Sequence, residues 1–427
     1  MSEISISIVS AMIQLPLVWV CVSPLIFGRE TMKKAELLMI PGPTPLPEPV
    51  REVMSRPAIG HRSAEFKDVL KRVFPNLQWI FGSKNQVFLY TASGTGAMEA
   101  SMSNTLNPGD RVLALVNGVF SHRWAEIAKT LGLQVETLDV PPGEAHTPAM
   151  LQEYLEARLS TNYKAILLNH SETSTGVLSP IRELTAVSRK THPDSLTIVD
   201  TITSLGATQF SLDDWDVDIA VSGSQKGFML PPGLSFLALS DRAWKAHQQC
   251  HQPGYYFNFT RYQKSQLENT TPYTPATPQI LGLDVALTLM QEEGLENIIQ
   301  RHARLSRMTR AGVEALGLSL FVPDPALASP SVTSFLPPVG VTVDAIRAGL
   351  KKRFGIIIAD GQKELKGKIM RIGHLGHVSE REVLATLSGL EAVLMDLGFS
   401  VSPGAGVAAA LQAAEATIEL KKAVTHA

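Results

Sequence analysis

Short apolar runs that alternate with helical patterns constrain the fold of this 427-residue chain more than any other feature. Strands that alternate with helices form a mostly parallel α/β sheet, and ligands bind at the carboxyl ends of its strands. Polar residues follow several of the apolar runs, so we expect a ligand site where those strands end. The predicted strands are 86–92, 111–116, 165–170, 196–201, 219–224 and 234–240, with a helix at 180–191.

The pattern changes beyond about residue 280, which indicates a smaller α+β domain. There we expect a long helix over 279–316, strands at 319–322, 331–337, 355–360 and 369–375, and helices at 343–353 and 379–397. The expected organisation is an apolar extension over 1–34, an extended arm over 35–60, a large domain over 61–285, a small C-terminal domain over 286–400, and an Ala-rich, partly helical tail over 401–427.

Residues 4–28 carry no charged side chain, and a helix of that length is long enough to cross a bilayer. Pro16 and Pro24 lower the expectation of a helix, and Glu3 stands where a secretory signal has basic residues. A mis-assigned start, a packed arm and a membrane anchor therefore stay open for residues 1–34. For the protein as a whole we expect a cytoplasmic location.

Charge and cysteine content exclude two classes of protein. With 38 Lys+Arg against 40 Asp+Glu, the chain lacks the basic surplus of a nucleic-acid-binding protein. Cys21 and Cys250 are too few for a disulfide scaffold or a cysteine-ligated metal cluster. We therefore expect no metal site and no nucleic-acid partner.

A lysine and an aspartate at strand ends carry the first chemical signal. Lys226 follows an apolar run in VSGSQKGFMLPPG (221–233), and a desolvated lysine can form a Schiff base with an aldehyde. Asp200 ends the apolar run of LTIVDTITSLG (196–206), where a carboxylate can pair with a protonated pyridine nitrogen. Taken singly, an exposed loop lysine and a helix N-cap aspartate are the alternatives.

A glycine-rich turn after the first strand is a candidate phosphate site. In TASGTGAMEA (91–100), Ser93, Gly94 and Thr95 precede a helix, whose N-terminal amides bind phosphate well. A nicotinamide-binding turn is the competing interpretation. Glu99 occupies its third glycine position, and the next strand ends without an acidic residue for ribose, which weakens that interpretation.

Two more polar positions lie in apolar surroundings. Ser174, in the hydroxyl-rich loop NHSETSTGVLSP (169–180), is a candidate donor to a cofactor ring oxygen, with a plain Ser/Thr turn as the alternative. Arg371 lies inside the apolar strand of GKIMRIGHLG (367–376), and a buried arginine needs an anion. That anion is a substrate carboxylate or the acidic side of an internal salt bridge.

Together these motifs resemble the class V aminotransferases, which are fold-type I pyridoxal-phosphate enzymes, and within them the alanine–glyoxylate and serine–glyoxylate (serine–pyruvate) branch. The resemblance runs from about Leu37 to Leu397. The motifs that carry it are PGPT (41–44), GHRS (60–63), SGTGAMEA (93–100), ETSTGV (172–177), VDTITSLG (199–206), SGSQKG (222–227), TPYTPAT (271–277) and MRIGHLG (370–376).

The resemblance implies a large domain with a mostly parallel seven-stranded sheet, a smaller α+β domain, pyridoxal 5′-phosphate (PLP) as cofactor, and a homodimer with shared active sites. It implies that Lys226 and Asp200 are catalytic and that Arg371 and Gly42 bind substrate. Gln225 is then expected near the phosphate, and Phe120 is expected to stack on the ring, where many relatives have Trp. Thr274, with Tyr273 as a second candidate, is expected to reach the phosphate of the other subunit's site. Ser93, Gly94, Thr95 and Ser174 complete the expected cofactor site.

The activity that the resemblance implies is amino transfer from alanine or serine to glyoxylate, giving glycine and pyruvate or hydroxypyruvate. Arg62 is a candidate for a distal substrate carboxylate. The alternatives are a transaminase of ureidoglycine or an aminophosphonate, and a non-catalytic partner subunit of a redox complex on the same fold. A cysteine desulfurase needs a catalytic cysteine late in the chain, and none follows Cys250.

Overall fold

The computed structural model describes residues 36–425, with side chains described up to residue 415. The uncharged stretch 4–28 therefore lies outside the described residues, and so does the extension 1–34. Within the described part, no helix is both long and apolar enough to cross a membrane. The strands of that part are β1 (Leu37–Met39), β2 (Val87–Tyr90), β3 (Arg111–Val116), β4 (Gln134–Asp139), β5 (Tyr163–Asn169), β6 (Ser171–Glu172), β7 (Val177–Leu178), β8 (Leu196–Asp200), β9 (Ile219–Gly223), β10 (Ser235–Leu239), β11 (Val332–Phe335), β12 (Ile356–Asp360) and β13 (Met370–Gly373).

Helices connect and cover these strands, as the alternating pattern predicts. They are α1 (Glu48–Met54), α2 (Ala64–Phe81), α3 (Gly94–Ser103), α4 (Val119–Thr130), α5 (Pro148–Glu156), α6 (Ile181–Thr191), α7 (Asp241–Gln248), α8 (Phe259–Leu267), α9 (Thr277–Glu293), α10 (Leu295–Ala315), α11 (Val343–Phe354), α12 (Glu380–Asp396) and α13 (Ala405–Thr425), with a 3-10 turn at Lys363–Leu365.

The larger sheet has seven strands in the order β2-β10-β9-β8-β5-β3-β4, and all pairs from β9 to β4 are parallel. β10 is antiparallel to both of its neighbours. Successive residues of each central strand enter different cores, such as Leu113 and Ile166 on one face and Val112 and Leu167 on the other. Burial on both faces explains why these strands read as continuous apolar runs. The expected fold class is confirmed.

The smaller sheet has four strands in the order β1-β12-β13-β11. Its side chains and those of the helices packed on it form a third hydrophobic core. β1 belongs to the segment expected to be an extended arm, and it pairs in parallel with β12. The start of the described chain is therefore built into the sheet that carries Arg371 on β13.

One expected helix is in fact two. The helix predicted over 279–316 is interrupted at Gly294, which ends α9 and precedes α10 with a φ of +81°. That left-handed conformation suits glycine and is incompatible with a continuous helix.

Two smaller differences concern single strands, while the tail is helical as expected. The predicted strand 319–322 contributes a single bridge, Leu320 to Phe335, and no regular strand. β4 was not predicted, because it is an edge strand whose side chains are mostly half-buried or exposed. The Ala-rich tail forms α13, which packs against α10 and places Ala410 and Ala414 in the third core.

Candidate active site

Four strands of the larger sheet bring polar side chains to one edge. Asp200 is the last residue of β8, and Lys226 follows β9 closely. β5 leads into Glu172, and β2 leads into the start of α3 at Gly94. β2 runs in the same direction as β9, because both are antiparallel to β10. Their carboxyl ends therefore meet where α/β sheets bind ligands.

Lys226 is buried and is held by the segment that follows β1. Its Nζ donates a hydrogen bond to the carbonyl oxygen of Pro41, and Thr44 Oγ1 donates to the Lys226 carbonyl at 3.1 Å. Gly42 has a φ of +113°, and a Cβ at this position would lie 2.7 Å from Lys226 Cδ and 2.9 Å from Nζ. A side chain at residue 42 would therefore displace the amine, so this position requires glycine.

The surroundings of Lys226 favour its neutral form. Burial lowers the pKa of Lys226 from 10.5 to about 8, because the ammonium loses its hydration. The positive charges of Arg371 and Arg123 contribute to this lowering, while the carboxylate of Asp200 opposes it. A useful fraction of the amine is therefore unprotonated near neutral pH, as a nucleophile or proton acceptor requires.

Asp200 is a buried carboxyl group with a single hydrogen bond among the described residues. Its Oδ1 accepts from the main-chain N–H of Ile202 at 2.7 Å. Burial, with a smaller contribution from the charge of Glu172, raises the pKa of Asp200 to about 7. The Ile202 hydrogen bond, Lys226 and Arg123 oppose this rise. A cationic partner at this carboxyl would offset the cost of its burial.

The start of α3 offers hydrogen-bond donors to an anion. Ser93 is its N-cap residue, yet the Ser93 hydroxyl makes no capping hydrogen bond. Gly94 packs closely against Ile202, since a Cβ on it would lie 2.5 Å from the Ile202 Cδ1. Thr95 Oγ1 accepts a hydrogen bond from Arg123 Nη1 at 3.1 Å. A free hydroxyl, first-turn amides and a neighbouring cation suit a phosphate.

Arg371 is buried with 5% of its surface exposed, and main-chain carbonyls hold it. Its Nε and Nη2 donate to the Asp360 carbonyl at 2.9 and 2.6 Å, and its Nη1 donates to the Thr173 carbonyl at 2.9 Å. None of these described hydrogen bonds goes to a carboxylate, so the internal salt bridge is not formed. Burial lowers the pKa of Arg371 to about 10. A guanidinium has five N–H donors, so two are left for an anion.

Sequence reasoning assigned no role to Glu172, which is completely buried at the same edge. Its carboxylate accepts hydrogen bonds from the main-chain N–H groups of Phe120 and Ser121 at 3.1 and 2.9 Å. It also accepts from the Ser121 hydroxyl, the Asn169 amide, and both the N–H and hydroxyl of Ser174. An acidic residue directly after an apolar strand, within a run of hydroxyl side chains, was the available signal.

The geometry changes what Ser174 can do. Its hydroxyl proton goes to Glu172 at 2.5 Å, and its oxygen accepts from the Val119 N–H at 3.1 Å. The expected donation to a cofactor ring oxygen therefore competes with Glu172. Phe120, at the first turn of α4, lies 4.9 Å from the Arg123 guanidinium. Arg123 was also missed, and its position one helical turn after Phe120 was the signal.

The family model described as class-V aminotransferase matches residues 50–380 of the chain. This protein is a class-V aminotransferase. The resemblance inferred from the motifs is thereby confirmed.

Relatives of this class-V aminotransferase carry different names. It is 45% identical over 382 residues to a protein of Synechococcus sp. (strain PCC 6716) named soluble hydrogenase, small subunit, covering 89% of this chain and 98% of the other. It is 39% identical to the serine–glyoxylate aminotransferase of Methylorubrum extorquens, over 87% of this chain and 94% of the other. The crystal structure of ureidoglycine–glyoxylate aminotransferase from Bacillus subtilis superposes with a TM-score of 0.85 at 29% identity, covering 91% of this chain and all of the other.

Class-V aminotransferases depend on PLP, and the residues of this one fit that cofactor. The Gln225 Oε1 is buried without a hydrogen-bond partner among the described residues. Such an orphaned atom marks a place where a ligand or water completes the hydrogen bonding. Lys226 would bind the cofactor aldehyde, Asp200 the ring nitrogen, and Ser93 and Thr95 the phosphate.

Three expected residues of this aminotransferase have no described contact with Lys226. Thr274 is exposed in the segment between α8 and α9. The Tyr273 hydroxyl donates to the Tyr255 carbonyl at 2.9 Å. Arg62 donates from Nη1 to the hydroxyl of Thr270 and to the Thr271 carbonyl. The described residues also contain no cluster of three or more His, Cys, Asp or Glu side chains able to hold a metal ion.

Proposed function

We propose that this aminotransferase moves the amino group of alanine or serine to glyoxylate, giving glycine and pyruvate or hydroxypyruvate. The observation that carries the proposal is the pairing of a buried lysine with a buried arginine that has two N–H donors to spare. Arg371 lies close enough to lower the pKa of Lys226. The likeness to serine–glyoxylate aminotransferase supports the choice of substrates.

In this mechanism Arg371 binds the substrate carboxylate and orients the substrate. Its Nε and Nη2 are fixed on the Asp360 carbonyl and its Nη1 on the Thr173 carbonyl, so the planar group is held before substrate arrives. A substrate carboxylate can accept from the two remaining N–H donors without breaking the hydrogen bonds to these carbonyls. The amino acid and the keto acid share this carboxylate, so one arginine serves both half-reactions.

Lys226 moves the proton. Its Nζ, with a pKa of about 8, takes the proton from Cα of the amino donor in the first half-reaction and delivers a proton to Cα of the product amino acid in the second. When bound, the pyridoxal ring supplies the electron sink for the resulting negative charge. Asp200 holds a proton on the ring nitrogen, and its burial excludes the water that would compete for that hydrogen bond.

The direct test is turnover by the purified protein reconstituted with PLP. Alanine, serine, ureidoglycine and an aminophosphonate are offered separately with glyoxylate, and glycine formation is measured. We expect ping-pong kinetics with alanine or serine as the best donor. Preference for ureidoglycine or an aminophosphonate would contradict this substrate assignment while leaving transamination in place.

The 45% identity to a protein named as a hydrogenase subunit favours a second candidate, a non-catalytic partner subunit of a redox complex. Two cysteines cannot ligate an iron–sulfur cluster, so such a subunit would not carry the redox metal. The visible spectrum separates the two. A protein that gives no lysine-bound cofactor band, even after added PLP, would favour the partner subunit.

We expect the substitution Arg371→Lys to lower kcat/KM for both the amino donor and glyoxylate by about 10- to 100-fold, because a lysine cannot donate two parallel hydrogen bonds. Steady-state kinetics measure the effect. The matched control is Arg310→Lys, since Arg310 is half-buried and also bonds main-chain carbonyls, those of Val322 and Pro323. Equal losses in both variants would contradict a substrate role for Arg371.

The proposal includes a homodimer with shared active sites and a cytoplasmic location. Thr274 is exposed and lacks a described contact with its own Lys226, which suits a residue that serves a partner's site. Sedimentation velocity of the PLP-bound protein should give twice the chain mass, and a monomer with full turnover would contradict the shared site. The scarcity of cysteine fits a reducing compartment.

A further inference from the structure

We propose that Glu172 is a positioning residue whose carboxylate fixes the first turn of α4, and with it Phe120, at the strand edge that carries the cofactor-binding side chains. The proposal rests on the proposed function for its kinetic consequence only, since cofactor binding can be measured without turnover. Asp200, the other buried acidic side chain at this edge, accepts only from the Ile202 N–H among the described residues.

Glu172 takes the place of a missing helix cap. Gly118 is the N-cap residue of α4 and has no side chain to accept from the first-turn N–H groups. Glu172 accepts those of Phe120 and Ser121 from across the loop. A Cβ on Gly118 would lie 2.5 Å from the Glu172 Cδ, so glycine leaves room for the carboxylate. A carboxylate at a helix N-terminus is also favoured by the helix dipole.

The same carboxylate joins two segments that are distant in sequence, the start of α4 and residues 169–174. The Asn169 amide donates to it from the end of β5 at 2.9 Å, and the Ser174 hydroxyl donates at 2.5 Å. The adjacent carbonyl of Thr173 accepts from Arg371. Any displacement of Glu172 therefore moves Phe120, Ser174 and the support of Arg371 together.

Glutamine cannot replace this carboxylate. Oε1 accepts from the Phe120 N–H and from Ser174, and Oε2 accepts from Phe120, Ser121 and Asn169. In either orientation the NH₂ group of a glutamine would face N–H or O–H donors. Unmade hydrogen bonds of buried groups are costly, so the first turn of α4 must shift.

The buried carboxylate of Asp218 provides a matched control. It lies just before β9, at the opposite end of the strands, and its partners are Arg189 and Arg242 rather than amides of the site. Loss of Asp218 should therefore destabilise the protein without moving Phe120.

The test is a titration of the cofactor-free protein with PLP, read by tryptophan fluorescence and by the circular dichroism of the bound cofactor. Glu172→Gln should weaken PLP binding on the order of tenfold or more and change the induced circular dichroism. Glu172→Asp keeps the charge but not the reach, so it should stay impaired. Asp218→Asn should lower Tm and leave both PLP readouts unchanged.

Wild-type affinity and circular dichroism in Glu172→Gln would overturn the proposal, and so would full recovery in Glu172→Asp, which would show that charge alone matters. If Glu172→Gln does not fold, Ser121→Ala removes one donor to the carboxylate and should give a smaller loss in the same direction. A wild-type protein that binds PLP but transfers no amino group would refute the proposed function, while the altered PLP binding of Glu172→Gln would still support positioning.

Discussion

Lys226→Ala is expected to abolish the visible band of the lysine-bound cofactor and to lower turnover by at least about 10²- to 10⁴-fold, the usual contribution of a positioned proton-transfer group. The amine is buried against Pro41 and Gly42, and Lys226 is the only buried lysine among the described residues. Absorbance spectra of the reconstituted protein and single-turnover kinetics with alanine measure the two effects.

The control for this prediction is Lys71→Ala. Lys71 is exposed on α2 and pairs with Asp68 at 2.7 Å, and it has no described contact with the residues of the candidate site. It should keep the band and the turnover. A Lys226→Ala protein that retained both would show that another amine binds the cofactor, and the assignment of Lys226 would fall.

Asp200→Asn is expected to separate activity from stability. Without a carboxylate to keep the ring nitrogen protonated, turnover should fall on the order of 10²- to 10³-fold, as expected for removing one member of a buried ion pair worth about 3–4 kcal/mol. Steady-state kinetics of the PLP-bound variant give this loss. The asparagine oxygen can still accept from the Ile202 N–H, so the local fold should persist.

The cofactor-free Asp200→Asn protein should be more stable than the wild type. The pKa of Asp200 is raised from 3.8 to about 7, so the folded state binds the proton more tightly than the unfolded state. The contribution of Asp200 to the free energy of unfolding is therefore fully present below pH 3.8 and is lost as pH rises through 7. The difference between these two limits is about 4 kcal/mol. Thermal unfolding should show the gain above pH 7 and little gain near pH 4.

Asp218→Asn supplies the contrast in sign. Asp218 is buried between Arg189 and Arg242, so its loss should lower Tm across this pH range. If Asp200→Asn also lowered Tm at pH 8, Asp200 would be a structural carboxylate rather than a strained group kept for a cationic ligand.

Much of this fold could be predicted because strands buried on both faces appear in the sequence as continuous apolar runs. β3, β5, β8 and β9 are buried at nearly every position and are mostly apolar, and their ends were located to within a few residues. Asp200 and Lys226 could be singled out since each stands where such a run stops. β4 lacks such an apolar run because its side chains are partly exposed. The helix break at Gly294 could not be predicted because a single glycine within a helical pattern is often tolerated.

The partnerships within the site could not be predicted. Glu172 depends on the approach of α4 to the end of β5, two segments separated by β4 and α5 along the chain. The hydrogen bond of Lys226 to Pro41 joins residues that lie far apart in sequence and that follow strands of different sheets. Such contacts are set by the tertiary fold, and no local spacing or periodicity encodes them.

The short strand β1 links the segment that holds the Lys226 amine to the sheet that carries Arg371. β1 and β13 are both hydrogen-bonded to β12, so the chain just before Pro41 and the strand of Arg371 belong to one rigid sheet. Lys226 follows a strand of the other sheet. A rigid displacement of the smaller sheet would therefore move the carbonyl that accepts from the Lys226 amine and the Arg371 guanidinium together. Such a displacement would couple release of the lysine to capture of a carboxylate.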